Sequence, residues 1–262
     1  MPMYNVTPAV GAAWEAMLGA VIQGLRQRGW TDPMRVVPAT GELTQLWRAP
    51  DLLLSQTCGY PLVTELEHDV QVLAAPAFDL PGCAGVDYRS MILVPQAGGA
   101  DSLEQLRGAV AVINQWHSHS GMNALRHTIA PLAREGRFFS RIEVSGSHMA
   151  SIVAVAQGRA DVAAVDCATY GLAMRAAPER LSGVRVLQAT AAAPGLPLIT
   201  SRALGHAQVQ DLRAVLLHLH EDVPSVLERL CVSRLHAMDL AAYEPIRQQV
   251  REAAQHGYPT LA

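Results

Sequence analysis

Lysine is absent: all 20 basic residues of this 262-residue chain are arginine. Without a lysine amine there is no Schiff base to a carbonyl, hence no ordinary pyridoxal phosphate chemistry, and no Walker A lysine for a nucleotide. Codon bias in a GC-rich genome also removes lysine, so the absence narrows the chemistry without selecting one. Charge is scarce too, at 16% of residues against 50% hydrophobic, the balance of a folded chain and not a disordered one. A net charge of −3 offers no basic face to nucleic acid or an anionic membrane. Nucleophile-elbow, dinucleotide and P-loop fingerprints are all missing. No apolar run approaches the length of about 18 residues that a membrane helix needs. The opening MPMYNVTPAVGAAWEAM lacks a basic n-region and carries Glu15 early, so no signal peptide is read there. The expectation is a cytoplasmic chain, or one whose leader lies outside this sequence. Cys58, Cys83, Cys167 and Cys231 show neither a CxxC pair nor zinc spacing. They are expected as buried small hydrophobes and not as a disulfide framework.

What is present is organised around residues 109–130, AVAVINQWHSHSGMNALRHTIA. Residues 109–114 form a short β-branched apolar run, the pattern of a buried strand. Leu125, Ile129 and Leu132 then recur at i, i+4 and i+7, a helix halted near Pro131. Between them lie Trp116, His117, Ser118, His119, Ser120 and Gly121. A helix start presents unpaired N–H groups and roughly half a positive charge. Two serines and a glycine at such a start make a cradle for a small oxyanion.

In chain order the pattern predicts strands at 2–6, 35–37, 51–55, 70–77, 90–95, 141–144, 161–165, 184–187 and 198–200. Helices are expected over 9–28, 43–47 and 61–68, at a capping box formed by Asp101 and Glu104, and from His148 to a stop at Gly158. From about residue 207 onward the pattern is helical, with helices expected over 207–220, 223–230 and 240–255. Alternating strands and helices imply an α/β fold with mainly parallel sheets. Ligands in such sheets bind beyond the carboxyl ends of the strands. Four polar turns stand where that rule puts a site, around Tyr60, 118–120, His148 and Asp166. None holds an arginine, so binding there would rest on neutral donors.

The combination LLLSQTCGYPL, WHSHSGMNALR, SGSHMASIVAVAQGRADVAAVD and PGLPLITS resembles the substrate-binding proteins of phosphate, phosphite and phosphonate ABC transporters. The likeness covers nearly the whole chain, and its most specific pieces are the serine-glycine helix start and the SH-x-A-S…G-x-A-D-V-A-A-x-D block. It implies a type II periplasmic-binding-protein fold of two lobes, 1–92 plus 194–262 and 93–193, joined by crossovers near 90–95 and 191–197. It implies a small phosphorus oxyanion (phosphonate, phosphite or phosphate) bound in an interlobe cleft. Ser118, His119 and Ser120 would contact its oxygens, Tyr60, Tyr88 and His148 would line the cleft, and Asp166 would face it. Tyr4, at the end of the first expected strand, could also reach it. An ABC permease as partner, a periplasmic setting and a monomer are implied as well, with no cofactor. The family often carries a second hydroxyl residue where His119 stands, which leaves the identity of the anion open.

Each residue also has a plainer reading: Ser118 and Ser120 as helix caps, Asp166 as a cap, His148 as a surface histidine, and Tyr60 and Tyr88 as core aromatics. Two other functions stay open from the residues alone. His117, His119, His148 and Asp166 could ligate zinc or iron. Alternatively, an enzyme on the same fold could act on a phosphorylated metabolite with His148 as base and Asp166 orienting it. A sensor that binds the ligand without a permease is a third variant.

Overall fold

The structure, a computed structural model, describes residues 1, 3–38 and 41–262. Eleven strands follow one another among them. The first six are β1 (Ser55–Gln56), β2 (Val70–Phe78), β3 (Asp87–Tyr88), β4 (Ser90–Pro95), β5 (Val110–Ile113) and β6 (Arg141–Val144). The others are β7 (Val162–Asp166), β8 (Val184–Ala189), β9 (Ala193–Pro194), β10 (Leu198–Ser201) and β11 (Val232–Ala237). The described residues form two compact units.

The first unit comprises Met1–Asp79, Ala84–Val86 and Gly195–Tyr243. Its sheet has the order β1-β10-β2-β11, every pair antiparallel. Helix Pro8–Gln27 starts at Thr7, whose hydroxyl accepts from the Val10 amide, with proline opening the first turn. Val10, Ala13, Trp14, Met17, Val21 and Leu25 recur on one face and are all buried. A side chain on Gly24 would come within 2.8 Å of Val215, so glycine lets this helix approach helix His206–Asp222 closely.

The second unit comprises Leu80–Cys83, Asp87–Pro194 and Glu244–Ala262. Its sheet has the order β6-β5-β7-β4-β8, and β3 pairs with β9 beside it. β6, β5 and β7 are mutually parallel, whereas β4 runs antiparallel to β7 and to β8. Leu93, Val112, Ile152, Val155, Val165 and Val184 pack together in its core. The expected division gave 194–262 wholly to the first lobe. Here the last 19 residues pack with the second unit for identifiable reasons. The Ala262 carbonyl accepts from the Phe138 and Phe139 amides at 2.8 and 3.0 Å, and His127 meets Glu252 at 2.7 Å.

The α/β class holds, but strand pairing is more mixed than the alternation of elements predicts. Parallel pairing is confined to β6-β5-β7. β4 and β10 each enter a sheet from the segment that links the two units, without a crossover helix from a neighbouring strand. Four local expectations fail. Residues 3–6 and 35–37 are not strands, and Pro2 lies outside the described residues; of 51–55 only Ser55 is in a strand. The Asp101–Glu104 capping box does not form: the Asp101 amide donates instead to Gln105 Oε1 at 2.7 Å. Strand β11 falls between the helices expected over 223–230 and 240–255, where the pattern assigns no element. Its side chains do not alternate between buried and exposed, because its register with β2 shifts between Val232 and Arg234.

Leu93 has no exposed surface at the centre of the second unit. Leu93→Ala should cost about 2–5 kcal/mol, read as a lowered urea midpoint; a loss under about 1 kcal/mol would contradict this packing.

Candidate functional site

Because β6, β5 and β7 are parallel neighbours, their carboxyl ends open on one edge of the second unit's sheet. Each feeds a helix there. β5 leads to the turn at Ser118, β6 to helix His148–Ala156, and β7 to helix Cys167–Ala176. β4 runs the other way, with Ser90 opposite Asp166, so its entry brings Tyr88 to the same edge. Strand order alone thus collects three helix N-termini, with the positive ends of their dipoles, in one place.

Ser118 caps the first of these helices, its hydroxyl oxygen accepting from the Gly121 amide at 2.9 Å. The helix opens with a wide, π-type turn, His119–Asn123, before continuing as Ala124–Ile129. Ser118, His119 and Ser120 are all buried. The two serine hydroxyls lie 3.4 Å apart. Ser147 caps the second helix through the Ala150 amide at 3.1 Å, which puts His148 in its first position. Asp166 caps the third, its Oδ1 accepting from the Thr169 amide at 2.6 Å.

These three starts are joined through one imidazole. His148 Nε2 lies 2.8 Å from Ser120 Oγ and 3.3 Å from Asp166 Oδ2. A carboxylate beside Nε2 favours the proton on that nitrogen, and Ser120 Oγ then accepts from the ring. The Ser120 hydrogen is left to donate elsewhere. Burial lowers the His148 pKa, opposed by Asp166 and by the nearby Ala164 carbonyl, which both favour the charged ring. Its Nδ1 is buried and makes no hydrogen bond of ordinary geometry.

His119 is oriented from behind. Arg126 Nη2 donates to Asn123 Oδ1 at 2.6 Å, and its Nη1 donates to the Pro259 carbonyl. With that oxygen taken, Asn123 turns its Nδ2 toward His119 Nδ1, 3.1 Å away. Nδ2 can only donate, so Nδ1 must accept and the ring proton resides on Nε2. Burial, and then the charges of His127 and Arg126, lower the His119 pKa from 6.5 to about 3. His119 is therefore a neutral donor with a fixed tautomer. Its ring faces Tyr88, the centroids 6.2 Å apart and the planes at 57°.

The structure thus brings together Ser118, His119, Ser120, His148, Asp166 and Tyr88, all in the second unit. Tyr60 and Tyr4 belong to the first unit. Tyr4 is a core residue there, stacked on Trp14 at 6.3 Å and edge-on to Phe78 at 5.0 Å, with φ at +65°. The Tyr60 carbonyl accepts from the Thr64 hydroxyl at 2.8 Å within its own helix. Among the described residues, no group of three or more His, Cys, Asp or Glu side chains is placed to hold a metal.

Sequence reasoning missed three contributors. Asn123 and Arg126 read as ordinary helix positions, since nothing local signals that they aim at a histidine four residues earlier and at the chain terminus. Asn114 follows β5 directly. Its buried Oδ1 has no hydrogen-bond partner and stands 1.9 Å from where a Cβ on Gly121 would be. A polar residue ending an apolar strand was the available signal. Gly121 is thus required by space, and Gly121→Ala would drive Asn114 away.

In the unfolded chain His119 takes up a proton near pH 6.5, whereas in the fold it stays neutral down to about 3. Stability should therefore fall as pH drops through that window, because the unfolded state binds the extra proton. His119→Gln should flatten this acid decline in denaturant titrations at successive pH values. An unchanged slope would contradict a buried neutral ring.

Residues 12–243 match the family model described as ABC transporter, phosphonate, periplasmic substrate-binding protein. No curated protein matches the chain. Among solved structures, a binding protein component of an ABC phosphonate transporter from Pseudomonas aeruginosa is 19% identical. The match covers 93% of this chain and 83% of that one, with a TM-score of 0.76. PhnD1 from Prochlorococcus marinus, solved in complex with methylphosphonate, is 16% identical over 94% of both chains, with a TM-score of 0.75. XAC2383 from Xanthomonas citri, solved bound to ATP, is 18% identical over 92% of both, with a TM-score of 0.69. At such identities these structures attest the periplasmic-binding-protein fold, and the family match spans most of the chain. The chain belongs to the periplasmic substrate-binding protein family of phosphonate ABC transporters.

Proposed function

We propose that the Ser118-His119-Ser120 turn binds the oxygens of a small phosphonate. His148 and Asp166 complete the site, Tyr88 packs against His119, and the chain delivers its ligand to an ABC permease. The observation that carries this reading is the convergence of three helix N-termini on hydroxyls and a neutral imidazole within one polar network. An oxyanion placed there meets the positive ends of three helix dipoles and donors that need no proton shift to bind it. The donors are neutral and sequestered, so desolvating the anion must be offset by complete hydrogen bonding, which favours selectivity over loose electrostatic capture. The resemblance supports assigning Ser118, His119 and Ser120 to the ligand's oxygens, with Asp166 facing it.

This reading makes the protein a carrier with no chemistry of its own. His148 and Asp166 then position Ser120 and do not transfer protons. We place it in the periplasm, where the family normally works, as a monomer. No helix of the described residues is long and apolar enough to cross a membrane.

A thermal-shift panel tests the ligand class, with methylphosphonate, 2-aminoethylphosphonate, phosphite, phosphate, sulfate and ATP, each with and without EDTA. A ligand at about 100 times its dissociation constant should add about 2.7 kcal/mol, a shift of several degrees. Selective response to a phosphonate, indifferent to EDTA, is expected. A flat panel, a shift abolished by EDTA, or consumption of any ligand would overturn the reading. Ser120→Ala should weaken binding of the responding ligand by about 1–3 kcal/mol in calorimetry, and unchanged affinity would remove Ser120 from the site.

A further inference from the structure

Two of the four cysteines that look scattered in sequence meet in space. Cys83 and Cys167 stand 84 positions apart, yet their sulfurs approach to 3.1 Å, both within the second unit and both as free thiols. We propose that Cys83 and Cys167 form a reversible intramolecular disulfide that pins residues 80–83 to the start of helix Cys167–Ala176, one residue from Asp166.

The two backbones are positioned independently of the sulfurs. The Cys83 amide donates to the Leu80 carbonyl at 3.1 Å, closing a tight turn. The Cys167 amide donates to the Arg89 carbonyl at 2.9 Å, beside the register pair of Ser90 and Asp166. Gly82 sits between them with φ at +92°, a conformation that glycine adopts freely. A Cβ on Gly82 would fall 2.8 Å from Cys167 Cβ and 2.5 Å from Met91 Cε. The turn is therefore pressed against Cys167 at a position where no side chain fits. Bringing the sulfurs from contact to a bond of about 2.05 Å needs about 1 Å of movement, within reach of side-chain rotation.

The exchange has a definite order. Cys83 is partly exposed and Cys167 is buried, so a small-molecule disulfide meets Cys83 first. The Cys83 thiolate attacks one sulfur of that reagent, and the first thiolate leaves. Cys167 then attacks the Cys83 sulfur of the mixed disulfide, and the second thiolate leaves. Two protein thiols lose two electrons and two protons, and the reagent is reduced to two thiols. The hydrogen bond to Cys167, and then burial, push the Cys83 thiol up, so exposure and not acidity selects it for the first, slow attack; the same bond lowers Cys167, which suits Cys167 to the resolving step. An oxidising compartment supplies reagents of this class.

The bond would hold the first turn of the helix that Asp166 caps, and so the carboxylate that faces His148. The test is to equilibrate the native protein with glutathione disulfide, quench in acid, unfold, alkylate and map the peptides by mass. The expected product has two alkylatable thiols, Cys58 and Cys231, and a Cys83–Cys167 crosslink. Its Tm should rise by several degrees and return on adding dithiothreitol. Cys83→Ser should lose both the crosslink and the shift. Four remaining thiols, a glutathione adduct on Cys83 that does not resolve, or a crosslink to another cysteine would each overturn the proposal.

Discussion

Three helix starts in the second unit meet at a single imidazole nitrogen. His148 Nε2 touches Ser120 of one start and Asp166 of another, while His148 itself begins the third. Everything else about the site depends on this junction being possible. It is possible because β6, β5 and β7 run parallel and adjacent, so their carboxyl ends open side by side. Converging dipoles would repel one another's partial charges without an anion among them. Asp166 supplies one negative charge within the fold, and the proposed ligand supplies the other.

Around that junction the chain holds donors without holding mobile charge. His119 is neutral because it is buried beside Arg126, and its proton is placed by the order Arg126, Asn123, His119. The same arginine donates to the Pro259 carbonyl near the chain end, and the Ala262 carbonyl receives the Phe138 and Phe139 amides. The C-terminal segment therefore buttresses, from behind, the turn proposed to bind. A member of a transport family gains from this arrangement, since fixed neutral donors distinguish oxyanions by shape and hydrogen-bond count and not by charge alone.

Much of this was legible in the sequence. The 118–121 turn after its β-branched run, the His148 turn and the Asp166 strand end all lie, as expected, at the carboxyl ends of parallel neighbouring strands. What stayed hidden depends on distance along the chain. β11 was missed because a register shift spoils its alternation, and Asn123 and Arg126 because their partners lie on another turn and at the terminus. Tyr4 was offered to the site as a polar aromatic at a strand end. It is instead packed between Trp14 and Phe78 in a left-handed backbone conformation that no local pattern announces. The approach of Cys83 to Cys167 is likewise a product of the turn at Gly82 pressing on β7's exit.

The account rests on neutral donors of the second unit receiving a phosphonate. A crystal structure of the protein saturated with methylphosphonate tests that most directly. The account predicts phosphonate oxygens within hydrogen-bond distance of Ser118 Oγ, Ser120 Oγ and His119 Nε2, with Ser120 still bonded to His148. A phosphonate bound elsewhere, or held chiefly by arginine side chains, would contradict it.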